Sequence, residues 1–482
     1  MTTTAELPAP PGADVPTRCR HARGHITDSS FLGDRYATAA SRRIFCDVCR
    51  VQRWLDVEAA LALTQGEMGM IPAAAAADIA AAARVDRIDL DTVREETQRS
   101  GHSLIGLLRA LQQACPGESG EYIHFGATTQ DIQDTGQVLE MRDAMDELDT
   151  ALRHILTLLC DIAEEHAETV ALGRTHARPA LPMSFGLKVA AWADEMCRNA
   201  ERLAEARPRL LVAQLFGGAG TMAGFGGRGQ ELLERFAERC GLYVPNLGWH
   251  VARDRIVEYT CLFGTVAGTA ARIADEIRTL SRPEFGEVEE AWRYGKVGSS
   301  TMPHKRNPER CEQVVVMAKL AAGQVPLALA GMAGDHERDS RALRVEWACL
   351  PDVTHYTLAA CQILTEILQG LTVHVPRLRA NVQIAADQVA SERLMFALAE
   401  FLGKQTAHER VYALSQTAYQ ERRPMKELLA EEPDLARLLD EKTVEEIFEP
   451  AQYLGDSVAL TRRGVASVRD WLDAPRAGQV SG

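Results

Sequence analysis

A chain of 482 residues with 46% hydrophobic and 25% charged side chains has the composition of a globular protein, and it is long enough for two or three domains or one large helical assembly. Its formal net charge of -14 at pH 7 argues against a nucleic-acid partner, because binding a phosphate backbone requires an excess of Lys and Arg. An anionic small substrate stays possible, since a locally basic pocket can exist in an acidic protein.

The chain opens with MTTTAELPAPPGADVPTRCRHARG, which has no apolar core of the kind a secretory signal needs and is rich in Pro, Thr and Ala. We predict a disordered N-terminal arm over residues 1–30. No uncharged apolar run is long enough to span a bilayer, so the sequence predicts a soluble cytoplasmic protein with no membrane partner.

The chain has 11 cysteines, an odd number without the spacing of a disulfide framework, which indicates reduced thiols. Cys46 and Cys49 form a C-x-x-C pair that could be redox-active or half of a zinc site. No second pair with metal spacing follows, and the surrounding residues favour a helix. The sequence therefore predicts ordinary thiols here and no metal.

Apolar residues recur at three- and four-residue spacing along most of the chain, and convincing β-alternation is scarce. Several periodic stretches are long for a globular helix, which favours a bundle of long rods. The predicted helices cover residues 43–68, 73–83, 135–171, 185–206, 229–240, 255–281, 310–333 and 352–371.

Three connecting segments between these rods are rich in small and hydroxyl residues. They read HFGATTQDIQDTG from His124, GRTHARPALPMSFG from Gly173 and GSSTMPHKRNPERCEQV from Gly298. They are far apart in the sequence, and each lies in a predicted connection between helices. We therefore expect them to carry the chemistry.

These segments resemble the three signature regions of the aspartase/fumarase superfamily, whose patterns are close to HxGxTSQDxxDT, GRTHxQPAxPxTFG and GSSxMPxKxN. The match keeps the order of the regions and extends from DRYAT near Asp34 through RDRIVEY at Arg253 to AHERVYALS at Ala407. A complete GSSxMPxKxN is a low-coincidence pattern, unlike a lone GxGxxG.

The resemblance implies an all-α subunit of three helical domains, for which we expect residues 31–124, a central long-helix bundle with the catalytic loop at 125–375, and a C-terminal helical domain at 376–482. It also implies a homotetramer whose active sites are shared between three subunits, a small dicarboxylate substrate and no cofactor. The apolar stripes of the rods would then be buried against other copies as well as within one chain.

The same resemblance suggests residue roles in removing a proton beside a carboxylate and expelling a group from the adjacent carbon. Ser299 matches the catalytic base, which must act as an alkoxide because a serine hydroxyl is otherwise a poor base. His176 matches the general acid of adenylosuccinate lyases, and histidine suits that role because it titrates near neutral pH. Lys305 and Asn307 match donors to the substrate carboxylate.

A further set of hydroxyl, amide and cationic side chains resembles the substrate-binding residues of the family. Each could singly be a helix cap, whereas together they would line one site. The set comprises Ser103 with the neighbouring His102, Thr128, Thr129, Gln130, Gln214 and Arg338.

Two branches of the superfamily compete. Adenylosuccinate lyases hold their nucleotide phosphate with a stretch of the form HERDxSHSSVER, which reads HERDSRALRVEW here, so that Arg338 remains while Leu343, Arg344 and Trp347 depart from the pattern. The 3-carboxy-cis,cis-muconate cycloisomerases share the terminal EW and the QLFGGAGT run, but they often have Trp in place of His176.

A third reading reconciles both patterns: a cycloisomerase-like scaffold that cleaves a small substituted succinate. Nitrosuccinate, giving fumarate and nitrite, is the favoured substrate, because the Ala- and Arg-rich composition and the mixed motifs resemble lyases of actinobacterial secondary metabolism and antibiotic biosynthesis. Candidates for the nitro or carboxylate group are Arg178, Arg341, Arg344 and, above all, Arg198. A non-catalytic, crystallin-like relative is the alternative from another class, but it would be expected to lose Ser299 or His176.

Overall fold

The computed structural model describes residues 25–292 and 295–474, and nearly all of its regular structure is helical. The helices are α1 (Ala39–Phe45), α2 (Asp47–Glu67), α3 (Ala73–Ala82), α4 (Leu90–Ser100), α5 (Ile105–Ala114), α6 (Thr129–Glu165), α7 (Phe185–Leu210), α8 (Gly229–Cys240), α9 (Asp254–Leu280), α10 (Glu309–Ala330), α11 (Ser340–Gln369), α12 (Val375–Ile384), α13 (Ala386–Leu402), α14 (Lys404–Glu421), α15 (Met425–Glu431), α16 (Pro433–Ala436), α17 (Glu441–Ile447) and α18 (Ser457–Asp473).

Five of these helices, α6, α7, α9, α10 and α11, pack side by side as the central bundle. The ion pairs Lys188–Glu276 and Arg209–Glu258 show that α7 and α9 run in opposite directions, and the other successive members alternate in the same way. We call the end where α6, α9 and α11 begin the amino end of the bundle, and the end where they finish the carboxyl end. Every connecting segment therefore lies at one end or the other.

The bundle core is apolar and closely packed. Tyr259 and Phe263 stack with ring centroids 4.1 Å apart inside α9. Gly136 lets Trp54 of α2 lie against α6, because a Cβ at that glycine would come within 2.7 Å of the indole. Such contacts fix how the N-terminal helices sit on the rods.

The C-terminal helices form a second apolar core around Leu394, Leu398 and Leu428. The last helix, α18, returns to the bundle and packs on α6 and α7, where Arg469 pairs with Asp161 and Glu164. The division into domains at 31–124, 125–375 and 376–482 stays a prediction. Of the predicted arm, residues 1–24 lie outside the described residues, and residues 25–30 include a short 3-10 turn, Ile26–Asp28.

Several predicted helices were wrong in their bounds. The helix predicted over 352–371 begins at Ser340, and the helix predicted over 310–333 ends at Ala330. The helix predicted over 135–171 begins earlier, at Thr129, and ends at Glu165. Beyond it, β1 (Val170–Thr175) and β2 (Arg178–Ser184) form an antiparallel hairpin, so Val170 and Ala171, the last two residues of the predicted helix, belong to a strand instead. A second small sheet pairs β3 (Val288–Glu289) with β4 (Thr372–Val373).

The helix predicted over 43–68 is also interrupted, at Cys46, whose sulfur accepts the backbone N–H of Cys49 at 3.3 Å and caps α2. The C-x-x-C pair thus starts a helix, and the ten cysteines among the described residues are free thiols.

Among the helices described, α10 is long and apolar enough to cross a membrane by length and composition alone. It carries Lys319 near its middle and packs lengthwise on α9 and α11. Val316 and Leu327 are each 41% exposed on its outer face in the single chain, and Leu329 near its end is 49% exposed. Apart from Glu312 and Lys319 this outer face is apolar, and it is open to solvent in one subunit.

Candidate active site

The amino end of the bundle gathers most of the predicted substrate-binding residues around the start of α6. Arg338 donates hydrogen bonds to Thr128 Oγ1 and, at 3.5 Å, to the carbonyl of Gly218. Gln133 Nε2 donates to Ser103 Oγ at 2.8 Å. These contacts join four stretches of chain that are well separated in sequence.

His102 belongs to the same group and has a defined proton arrangement. Its Nδ1 accepts the backbone N–H groups of Leu104 and Ile105 at 3.3 and 3.2 Å, at the start of α5. A neutral ring that accepts through Nδ1 carries its proton on Nε2, which lies 3.5 Å from Thr129 Oγ1. His102 therefore presents an N–H toward this hydroxyl.

Asp131 holds the amino end together. Its carboxylate accepts the backbone N–H groups of Thr128, Phe216 and Gly217 at 3.0, 3.0 and 2.9 Å, and it lies 2.8 Å from His250 Nε2. One fully buried carboxylate thus fixes the cap of α6 and the loop that carries the Gly218 carbonyl. The N-terminal turn of a helix favours a negative charge at this place.

A buried ion triad lies one helical turn further along α6. Arg253 contacts both oxygens of Asp134, at 2.9 and 3.0 Å, and its Nε donates to Glu346 Oε1 at 2.7 Å. Burial opposes the charge of Arg253, but the charges and hydrogen bonds of the two carboxylates outweigh it and raise the pKa of the guanidinium. The triad ties α6, α9 and α11 to one another.

Gln130 and Gln214 belong to this buried framework. Gln130 Nε2 donates to the His250 carbonyl at 2.8 Å and to Asp134 at 3.1 Å. Gln214 Oε1 accepts the Trp249 N–H at 3.2 Å, and its Nε2 donates to Asp134 at 3.3 Å. Both amides are already engaged within the chain, and their contact with a substrate stays a prediction.

The carboxyl end carries His176 at the tip of the β1–β2 hairpin. Thr175 pairs with Arg178, which leaves His176 and Ala177 as a two-residue turn with φ of 50° and 62°. Such a turn normally contains Asn or Gly, since other residues are strained at positive φ. The strained turn projects an exposed imidazole from the end of the bundle.

Ser299 also lies at the carboxyl end, in the connection that leads into α10. Its Oγ accepts the backbone N–H groups of Met302 at 3.0 Å and Thr301 at 3.4 Å. Asn307 Nδ2 donates to the carbonyl of Gly298 at 2.6 Å and so closes the loop, while Lys305 is exposed. Two backbone donors at one serine oxygen would stabilise a negative charge on it.

The two halves of the predicted site are far apart within one chain. Thr128 and the hairpin of His176 lie at opposite ends of α6, whose 37 residues correspond to about 55 Å. Ser299 precedes α10 and Arg338 follows it, a separation of roughly 33 Å for 22 helical residues. A single subunit therefore cannot bring the predicted base to the predicted substrate-binding residues of the amino end.

The four candidate arginines are exposed. Arg198 lies in the middle of α7 and contacts Asp194, four residues earlier on the same helix. Arg341 pairs with Asp335 and Asp339. Within the described chain neither arginine contacts a predicted site residue, and their roles stay predictions.

The sequence interpretation missed the framework of Asp131, Asp134, His250, Arg253 and Glu346. The local sequence could not reveal it, because the burial of residues 130–141 of α6, which include three carboxylates, is visible only in the structure. Buried carboxylates need hydrogen-bond donors or cations. The RDRIVEY motif supplied such a cation, but nothing in the local pattern indicated which carboxylates it meets.

The comparisons with known proteins agree with this architecture. A family model described as Lyase matches residues 34–326, and one described as Adenylosuccinate lyase C-terminus matches residues 387–463. An N-acetyl-S-(2-succino)cysteine lyase from Dickeya dadantii is 39% identical over 90% of this chain and 95% of its own length. A 3-carboxy-cis,cis-muconate cycloisomerase from Pseudomonas aeruginosa is 37% identical over 90% of this chain and 96% of its own. The crystal structure of 3-carboxy-cis,cis-muconate lactonizing enzyme from Pseudomonas putida superposes with a TM-score of 0.84 at 34% identity, covering 92% of this chain and 99% of that one.

Proposed function

The chain belongs to the lyase family of the aspartase/fumarase superfamily, and on that premise we propose that it eliminates a leaving group from a substituted succinate to give fumarate, with nitrosuccinate as its favoured substrate. The bond that breaks would then join carbon to nitrogen. Cleavage of N-acetyl-S-(2-succino)cysteine, as named for the Dickeya dadantii relative, is the second candidate.

In the proposed reaction Ser299, as alkoxide, takes a proton from the carbon beside one carboxylate. The electron pair left on that carbon delocalises into the carboxylate, which then carries two negative charges. Collapse of this intermediate forms the carbon–carbon double bond and breaks the carbon–nitrogen bond, whose electrons leave with nitrite. Lys305 and Asn307 would stabilise the doubly charged carboxylate, the largest catalytic term available.

The observation that carries this proposal is the pair of backbone N–H groups on Ser299 Oγ. They are donors fixed by the backbone itself, so they stabilise an alkoxide without the cost of reorganisation during the reaction. The exposed ammonium of Lys305, six residues on, adds positive charge to the same loop.

A small substrate is favoured over a nucleotide by residues at the amino end. Leu343, where the adenylosuccinate lyase pattern has a serine, is buried and offers no donor. Trp347 replaces the terminal arginine of that pattern and lines a cavity with Trp54 and Ser103. These changes remove polar contacts that a nucleotide phosphate would need.

The second candidate is supported by the same cavity. Its volume of about 560 Å³ exceeds what a nitro group fills, and its walls include the two indoles as well as Arg50 and Arg94. An acylated amino acid thioether has an apolar body and a carboxylate that such walls could bind. The substrate test therefore includes it.

The test offers the purified protein nitrosuccinate, N-acetyl-S-(2-succino)cysteine, adenylosuccinate, argininosuccinate and aspartate in parallel and follows fumarate by ultraviolet absorbance. Equal amounts of fumarate and nitrite from nitrosuccinate support the first candidate, and no fumarate from any of the five would refute the proposal. Ser299→Ala should abolish turnover, whereas Ser300→Ala, at the adjacent exposed serine, should retain most of it.

A homotetramer with shared sites forms part of the proposal. It is supported by the distance between the two ends of each subunit and by the uncovered apolar face of α10, which a second copy would bury. The lesions Ser299→Ala and Arg338→Ala lie at opposite ends of the bundle. If each site takes Ser299 from one subunit and Arg338 from another, refolding an equal mixture of the two inactive variants should restore some activity. With random mixing in a symmetric oligomer, about a quarter of the sites receive neither lesion. No recovered activity would contradict the shared site.

A further inference from the structure

Glu290 joins the two ends of the segment that carries Ser299. It directly follows β3, and its side chain is 5% exposed. Its Oε1 lies 3.0 Å from Lys296 Nζ and accepts the backbone N–H of Arg310 at 3.3 Å. Its Oε2 accepts the backbone N–H of Cys311 at 3.2 Å. One carboxylate therefore contacts the chain both before Ser299 and after Asn307.

The contacts of Glu290 are electrostatically matched. Arg310 and Cys311 are in the first turn of α10, whose N–H groups have no partner within the helix and favour a negative charge. The ammonium of Lys296 supplies the opposite charge and also lies 5.1 Å from the ring centre of Trp292. Hydrogen bonds to an ionised carboxylate are stronger than those between neutral groups.

From these contacts we propose that Glu290 is a positioning residue that fixes Ser299 in the place where it removes the proton, an inference that rests on the proposed role of Ser299. Ser299 follows Lys296 by three residues, and Asn307 closes the loop on Gly298 just beyond it. Glu290 contacts neither Ser299 nor the reacting atoms. It acts by holding the frame from which Ser299 projects.

The charge and both oxygens of Glu290 are needed for this role. A glutamine has one acceptor oxygen, and its NH2 group can only donate. Glu290→Gln therefore leaves at least one first-turn N–H of α10 unsatisfied and removes the counter-charge of Lys296. The substitution preserves volume, so the apolar core beside it is undisturbed.

The kinetic test compares Glu290→Gln with Glu366→Gln. Glu366 is a matched control because it contacts the side chain of Arg310, whose backbone N–H Glu290 accepts. Displacement of the base by about 1 Å lowers kcat by about 100-fold, while KM changes by no more than about threefold. The control variant should stay within twofold of wild type. The double variant Lys296→Met/Glu290→Gln should have a kcat no lower than that of the more damaging single variant, because the two side chains act as one unit.

A second readout does not depend on the substrate. Trypsin cleavage after Lys305 and Arg306 should be at least about tenfold faster in Glu290→Gln than in wild type or Glu366→Gln. The three proteins should have equal thermal unfolding midpoints, so that the faster cleavage reports local loosening of the loop. If wild type turned over none of the offered succinates, the proposed function would fail while this readout still tested the role of Glu290 as an anchor. If Glu290→Gln did not fold, Lys296→Met alone would carry both measurements.

A kcat of Glu290→Gln equal to that of wild type would overturn the proposal. If trypsin cleavage were nevertheless faster, Glu290 would only anchor the loop structurally. If both kcat and cleavage were unchanged, the anchoring role would be refuted as well.

Discussion

Replacing Arg253 by Met should destabilise the protein far more than the loss of any surface ion pair. Arg253 is 2% exposed and is the cation between Asp134 and Glu346, which are equally buried. Removing one partner of a buried pair costs about 3–5 kcal/mol, because the remaining charges are left without compensation. Gln137 still donates to Glu346 at 2.9 Å, so part of the hydrogen bonding survives. With about 2–4 °C per kcal/mol for a domain of this size, the thermal midpoint should fall by roughly 6–20 °C.

The assay is thermal unfolding at pH 7.5 and a fixed scan rate, with Arg209→Met as the control. Arg209 also makes a two-pronged contact, with Glu258 at 2.8 and 3.0 Å, but its side chain is 56% exposed. Loss of such a pair costs about 1 kcal/mol or less. Equal midpoints for the two variants would refute the reasoning. Adding Asp134→Asn and Glu346→Gln to Arg253→Met should recover at least half of the loss, because no buried charge is then left unpaired.

Three further predictions concern histidines and one strained turn. His176→Gln should slow elimination of an amine by roughly two to four powers of ten and that of nitrite by less; an amine elimination at nearly the wild-type rate would contradict the general acid. Ala177→Gly should raise stability by up to about 1 kcal/mol, because glycine relieves the positive φ, whereas Ala180→Gly in the extended strand β2 should lower it in the same thermal assay. Burial lowers the pKa of His124, but the hydrogen bond and charge of Glu58, 2.7 Å away, outweigh this and raise it overall. Stability from this pair is therefore present below the unfolded pKa of His124 and is lost as pH rises through the higher folded pKa; midpoints measured from pH 6 to 9 should fall for wild type and stay flatter for Glu58→Gln.

Local patterns predicted the helices whose apolar periodicity is uninterrupted. The helix predicted over 229–240 matches α8, and that over 73–83 differs from α3 by one residue. Periodicity reports which face of a helix is buried and needs no knowledge of the partner. The long rods and the all-α class followed from the same signal.

The same signal failed at the start of α6 because polar residues there are buried. Asp134 lies in a polar run that suggests a loop, and its burial depends on the charge of Arg253, 119 residues later, and on two amide donors. The sequence did not predict the hairpin of His176 for a related reason, since its turn lacks the Asn or Gly that normally indicates a two-residue turn. A short window of sequence shows neither a distant residue that pairs with a buried charge nor a strained turn that the fold tolerates.

The division of residues between the two ends of the bundle explains how one fold can serve several reactions. The proposed base and acid are held by backbone contacts at the carboxyl end, where Glu290 and the strained hairpin fix them. Leu343 and Trp347, the departures from the nucleotide-binding pattern, lie at the amino end, a helix length away in the same chain. A change at one end then leaves the contacts of the other intact, and the two meet only in the proposed assembly. On this view substrate preference can change while Ser299 and its loop are kept, and the residues that decide the leaving group should be sought beside Trp347 as well as at His176.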